Sequence, residues 1–169
     1  MMSRYRILYL IAFWGFTLQS VCNDKFSSSS LESKPFLVEI IDQGSIRKVM
    51  LEEEDHQQVG QILDKLVSGI TEPVKLLMSP KDWQDALEYG RFIHVMYASR
   101  HEMICRDGIR RSFSHVYIVL DGDLQAQPIG QHVTMFLTDE PEAPGSPYQA
   151  ADVRPQLDTL LDLVGFKFD

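Results

Sequence analysis

The chain has 169 residues, 44% of them hydrophobic and 24% charged, with a formal net charge of −8 and a pI near 5.0. A normal apolar fraction with 10% aromatics excludes disorder for the bulk of it; two cysteines exclude a disulfide-stapled miniprotein, and a single long apolar stretch excludes a polytopic membrane protein. The acidic balance speaks against general nucleic-acid binding, and the length suits one domain able to bury a core.

Arg4 and Arg6 are the only charges before Asp24, and the run from Ile7 to Cys22 carries none. A basic start, an apolar segment of about a dozen residues and a polar exit are the three parts of an export signal. An uncleaved membrane span needs roughly 20 apolar residues, and Gln19 and Ser20 interrupt this run too early. Ser20 and Cys22 are small residues two apart, which suits cleavage after Cys22. An apolar run ending in a cysteine and followed by a Ser-rich tether also resembles a bacterial lipoprotein signal. That resemblance implies a lipidated Cys22 as the first mature residue. The segment departs from the lipoprotein pattern at Gln19 and Val21. Both outcomes remain open, and both predict an extracytoplasmic protein: secreted, periplasmic, or anchored through Cys22. Losing Arg4 and Arg6 takes the formal charge from −8 to −10. If Cys22 is removed or lipidated, Cys105 is the one remaining thiol.

Residues 1–22 are thus expected as a signal, 23–34 as a flexible linker containing Ser27 to Ser30, and 35–169 as a single globular domain. Phe36 to Ile41 reads as a strand, Asp42-Gln43-Gly44 as a turn and Ile46 to Leu51 as the returning strand. Val59, Ile62, Leu63, Leu66, Val67 and Ile70 fall on one helical stripe, which predicts an amphipathic helix over roughly 54–68. Glu52 to Asp55 lie at its start, where the helix dipole favours negative charge, and read as a solvated helix end rather than a calcium site. Val74 to Met78 is expected as a strand. Ser79-Pro80 predicts a capped second helix with Trp83, Ala86 and Leu87 inward and Gly90 at its end. Strands are then predicted at 92–98, 102–106, 109–120 and 131–137, with Asp107-Gly108 as a two-residue hairpin turn. Asp121-Gly122-Asp123 reads as a turn, and Pro128 prevents a tight return. Residues 138–150 form an acidic, Pro-rich loop. Leu157, Leu160, Leu161 and Val164 mark a last helix capped by Asp152, and Phe166 and Phe168 a short tail that either adds an edge strand or docks on the core. The fold class is α+β: a mostly antiparallel sheet of about five or six strands packed by two or three amphipathic helices.

With turns at Asp107-Gly108 and Ser99-Arg100-His101, Cys105 is expected opposite Arg110 and Val95, and Glu102 opposite Phe113. Ile93, Val95, Tyr97, Met103, Cys105, Val116, Ile118 and Leu120 then share one face, joined by Val133, Met135 and Leu137. Phe92, His94, Met96, Ile104, Phe113, His115, Tyr117 and Val119 share the other, with His132, Thr134 and Phe136. This parity separates Cys105 from His94 and His115, which excludes a Cys–His nucleophile pair and makes Cys105 a small buried hydrophobe. The same register puts His94 and His115 roughly 20 Å apart at ~3.3 Å per residue, too far for joint metal ligation. Pairing strand 92–98 directly with 113–120 would bring them together. No metal and no cofactor is expected, and His56 and His101 are expected at the surface.

The mixed face reads either as a second half-core or as an open aromatic platform for a partner. Its binding candidates are Phe92, His94, Phe113, His115, Tyr117 and Phe136. A second cluster, Arg106, Arg110 and Arg111 with Arg100, makes one hairpin basic; it reads as edge protection or as a contact for anionic groups. The leading functional expectation is an exported, membrane-tethered or released domain that binds a protein or envelope component, with membrane contact only through its N-terminus. The alternative is a small extracytoplasmic hydrolase with a histidine-centred or metal-assisted site at His94, His115 and Asp121. A third reading is an assembly subunit docking through a sheet edge or the Phe166–Phe168 tail.

Overall fold

The computed structural model describes residues 35–168 except Leu77, Asp123, 125–131 and Pro144. The expected signal and linker, Asp123 and Pro128 lie outside the described residues. The elements follow in the order β1 (Phe36–Asp42), β2 (Ser45–Val49), α1 (Glu53–Ser68), β3 (Ile70–Pro73), α2 (Pro80–Tyr89), β4 (Arg91–Ile104), β5 (Arg110–Asp121), β6 (His132–Thr138), β7 (Tyr148–Ala151) and α3 (Arg154–Leu163). The seven strands form one sheet in the order β2-β1-β4-β5-β6-β7-β3, and every neighbouring pair is antiparallel. The fold is α+β. Among the described residues no helix is long and apolar enough to cross a membrane.

Helices α1 and α3 cover the inner face. Val59, Ile62, Leu63, Leu66 and Val67 of α1 and Leu157, Leu160 and Leu161 of α3 are buried. They pack on the aliphatic set predicted from parity: Ile93, Val95, Cys105, Val116, Ile118, Leu120, Val133 and Met135 are buried there, with Tyr97, Met103 and Leu137 at the margin. Gly69 follows α1 at φ −71°, so its lack of a side chain serves contact rather than conformation. A Cβ there would sit 2.4 Å from Val153 Cγ1, where α3 begins.

The outer face carries a smaller cluster of Ile41, Trp83, Phe92, Tyr117, Val119 and Phe136. Trp83 brings α2 onto it, packing edge-on to Phe92 and Tyr117 and tilted on Phe136 at centroid distances of 5.7, 5.0 and 4.9 Å. Its indole N–H donates to Pro141 O at 2.8 Å, so one side chain holds both the helix and the acidic loop. The start of α2 carries the expected cap: Ser79 Oγ accepts from Asp82 N, and the Asp82 carboxylate accepts from Ser79 N.

Several expectations are corrected. Residues 92–98 and 102–106 are not two strands joined by a turn at Ser99–His101; β4 runs through Arg91–Ile104. Ala98-Ser99-Arg100-His101 has no Gly, Pro, Asn or Asp to force a reversal. The stretch instead bulges: Met96 pairs with His115 and His101 with Phe113, so four residues of β4 stand against Ser114 alone. The loop at Asp107-Gly108 is one residue longer than expected. Cys105 N donates to Ile109 O, Gly108 has φ +77°, and the register becomes Ile104 to Arg110 and Glu102 to Ser112. Both differences move pairings, while burial still sorts the apolar residues by face.

Phe113 is the exception. It lies in the inner core three residues before Val116, also in that core, so β5 changes parity between them. Val74, Lys75, Leu76 and Met78 are not in a strand; the strand in that region is β3, which ends at Pro73. The acidic loop ends in a further strand, β7. Asp152 does not cap α3: it has φ +61°, and Val153 is the N-cap. Of the two alternatives for the tail, docking holds: Phe166 is buried against the core, Phe168 is exposed, and residues 166–168 are not in a strand.

Candidate functional site on the outer sheet face

The register lays the outer face out in rows across four strands. One row reads Glu39, His94, Tyr117 and Phe136; the next reads Leu37, Met96, His115 and Thr138. His94 and His115 are diagonal neighbours on adjacent strands, the arrangement within reach of long and aromatic side chains. Their nitrogens, Nε2 of His94 and Nδ1 of His115, are 3.0 Å apart. The expected separation of roughly 20 Å at ~3.3 Å per residue is therefore overturned, because β4 has no turn and residues 92–96 lie directly against β5.

Behind His94 stands Glu39, its Oε2 3.4 Å from His94 Nδ1, and both side chains are almost fully buried. Tyr117 stacks on His94 with ring centroids 4.1 Å apart and planes within 4°. Burial pushes the His94 pKa down to about 4, with the neighbouring His115 adding to the shift. Burial pushes Tyr117 up to about 12, with Glu39 and Glu142 contributing. The sequence reading missed Glu39. Its signal was present: it is the one charged residue inside the apolar strand Phe36-Leu37-Val38-Glu39-Ile40-Ile41, and a charge there requires a buried partner.

The binding candidates divide. Phe92, Tyr117 and Phe136 are buried beneath α2, and Phe113 lies in the opposite core. His94 is buried and His115 half-buried. The open part of the face is the neighbouring row, where Leu37 is 60% exposed and Met96 is half-buried. A shallow apolar groove of about 250 Å³ lined by Pro35, Phe36, Leu37, Met96, Tyr97 and Ala98 lies there. Asp121, the last residue of β5, is bound to Arg91 at 3.4 Å and lies beyond the row of Phe92 and Val119.

Each arginine of the cluster is paired with a carboxylate of the fold. Arg106 pairs with Asp152, Arg110 with Glu102 and Arg100 with Asp139. Arg111 is buried, bonded twice to Asp107 at 2.8 and 2.5 Å, and stacked on Tyr148 at 4.5 Å. His56 and His101, expected at the surface, are half-buried. His56 stacks on Phe36 at 4.0 Å and His101 on Tyr97 at 4.6 Å, with Asp64 3.5 Å from His101 Nε2.

Chemically the outer face offers two linked imidazoles backed by a carboxylate; among the described residues the one cysteine, Cys105, is in the inner core, where burial raises its pKa. Among the described residues no group of three or more His, Cys, Asp or Glu is arranged to hold a metal ion. The domain is thus a single antiparallel α+β sheet with helices on both faces and a histidine pair at the margin of the smaller layer. Comparison with protein-family models, curated proteins and solved structures finds no match to this chain.

Proposed function

We propose that residues 35–168 are the binding domain of an exported protein, tethered to the cell envelope through Cys22 or released from it, that engages a protein or another envelope component. The supporting observation is the half-covered outer face. Helix α2 closes over Phe92, Tyr117 and Phe136, while the adjacent row of Leu37, Met96 and His115 has no covering element among the described residues. The apolar groove there begins at Pro35, where the Ser-rich segment joins the domain. A net charge of −8 and arginines paired within the fold favour a partner other than nucleic acid.

Phe113 and Tyr117 are poor residues with which to test this, because truncating either opens the core. Leu37→Glu and Met96→Lys place charge on the open row. Both variants are expected to lose capture of the partner from envelope extracts while melting within a few degrees of the parent. Undiminished capture by both would remove this face from the interaction. Intact mass and N-terminal mapping of cell-made protein, with fractionation, test the location: a chain beginning at Met1 and found inside the cell refutes export, and a mass increment on Cys22 establishes the lipid tether.

A second reading, a small extracytoplasmic hydrolase, gains from the 3.0 Å contact between His94 and His115. Thr138, the hydroxyl residue across from His115, is bonded to the Glu140 backbone, which leaves water as the attacking group and one imidazole as its base.

A further inference from the structure

The contact between His94 and His115 is end-on. Their ring planes lie within 17° and their centroids are 5.3 Å apart, the 3.0 Å nitrogen separation plus about two ring radii. That is the geometry of an in-plane N–H···N hydrogen bond. A metal shared by both rings needs bonds of about 2.0–2.1 Å from lone pairs that converge on one point, and these face each other head-on.

Proton positions then follow from one end. Glu39 Oε2 lies 3.4 Å from His94 Nδ1, a charge contact and not a hydrogen bond, and a carboxylate beside that nitrogen favours the tautomer with the hydrogen on Nδ1. His94 is held neutral by burial, so its Nε2 carries none and accepts. The donor to it is His115 Nδ1–H. A neutral His115 therefore keeps its lone pair on Nε2. His94 has its partners on the buried side, whereas His115 is half-buried, in the row shared with exposed Leu37.

We propose that Glu39, His94 and His115 form a built relay whose working atom is Nε2 of His115, and that this atom binds a weakly acidic ligand presenting an O–H or S–H group. The ligand donates its hydrogen bond to Nε2. If the proton transfers, it moves to Nε2, the ligand remains as its conjugate base, and His115 becomes an imidazolium. The Glu39 carboxylate balances that charge through the neutral His94 ring. Glu39 and His94 are positioning residues; His115 alone touches the ligand. This goes beyond the binding role proposed above, and the two fail separately, because Leu37→Glu reads partner capture and the measurements below read His115.

The full chain, uniformly labelled with nitrogen-15, shows the tautomers directly. The expected pattern at neutral pH is hydrogen on Nδ1 of both rings and a bare Nε2 on His115; hydrogen on Nε2 of a neutral His115 overturns the proposal. Diethyl pyrocarbonate is expected to modify His115 and spare His94. Glu39→Gln removes the anchoring charge with little change of shape, and is expected to slow modification of His115 by about tenfold, the scale on which partners behind a histidine act. An unchanged rate in a folded Glu39→Gln protein reduces the chain to a packing contact. The tautomer measurement needs no variant and decides the matter if Glu39→Gln fails to fold. 4-Nitrophenol, a weakly acidic chromophore, is the ligand probe: it is expected to shift the Nε2 resonance of His115 in the parent and not in His115→Phe. No shift in the parent at millimolar probe removes the ligand from the proposal.

Discussion

At His94, burial holds the imidazole neutral well below the usual histidine range, with a pKa of about 4. An unfolded chain takes up that proton near 6.5, so between about pH 6.5 and 4 the unfolded state binds more protons than the native one. The His94 contribution to stability is complete above 6.5 and is lost as pH falls through this window, by up to about 1.4 kcal/mol per pH unit. The His94 Cε1 proton is expected to titrate near pH 4 with no step near neutrality, and urea unfolding of His94→Phe to show a shallower acid slope than the parent. Arg111 closes the β4–β5 hairpin through Asp107. Its guanidinium and Asp107 are both close to fully buried, and Asp107 Oδ1 also accepts from Ile109 N in the turn. Arg111→Met leaves the Asp107 carboxylate without its charge partner and is expected to cost about 3–5 kcal/mol by denaturant unfolding. Adding Asp107→Asn keeps the turn acceptor, removes the orphaned charge, and should recover most of that loss. Equal instability of the single and double variants would assign the loss to the contact of Arg111 with Tyr148 instead.

Among the elements, α2 hangs on Trp83, the one buried residue it contributes. Trp83→Phe keeps most of the packing and loses the bond to Pro141, which is expected to cost about 1 kcal/mol. Trp83→Ala also empties the space between Phe92, Tyr117 and Phe136 and is expected to cost about 3–5 kcal/mol. Protease nicking within residues 138–147 should rise in both variants, since the loop shares the same anchor; unchanged nicking would mean Thr138 and Asp139 hold the loop without Trp83. The elements also show where the sequence is informative. Helix α1 was legible because five buried residues at helical spacing admit one reading, and α2 because Ser79, Pro80 and Asp82 spell out a cap. The sorting of strand residues by face was legible for most positions because alternation survives an error of register. The pairing was not. The bulge at Tyr97–Arg100 is stabilised by contacts distant in sequence, among them Ala98 N to Pro35 O, and nothing local announces it. That single miss hid the meeting of His94 with His115. Glu39 could have been suspected from its apolar neighbours, but its partner follows only from the β1–β4 register.

For the domain as a whole, β4 and β5 are the hinge of the structure, since both hydrophobic clusters include their residues. Ile93 and Ile118 face α1 and α3, whereas Phe92, Tyr117 and Val119 alternate with them and face α2. The two layers therefore share a backbone, and neither can lose its strands without exposing the other. The sheet edges are kept from further pairing in different ways: β2 is short, exposed and carries Arg47 and Lys48, while β3 ends in Pro73. Shared strands predict one cooperative transition for residues 35–168. The chain has two tryptophans, Trp14 and Trp83, so a Trp14→Phe protein reports only on the outer layer by fluorescence. Far-UV circular dichroism weights the helices, of which α1 and α3 lie on the inner face. The two signals are expected to follow one curve in urea, with one midpoint and one slope, as two-state unfolding requires. If Trp83 fluorescence changes at lower urea than the dichroism, α2 and the acidic loop form a separately opening lid, and the outer cluster adds packing without adding cooperativity.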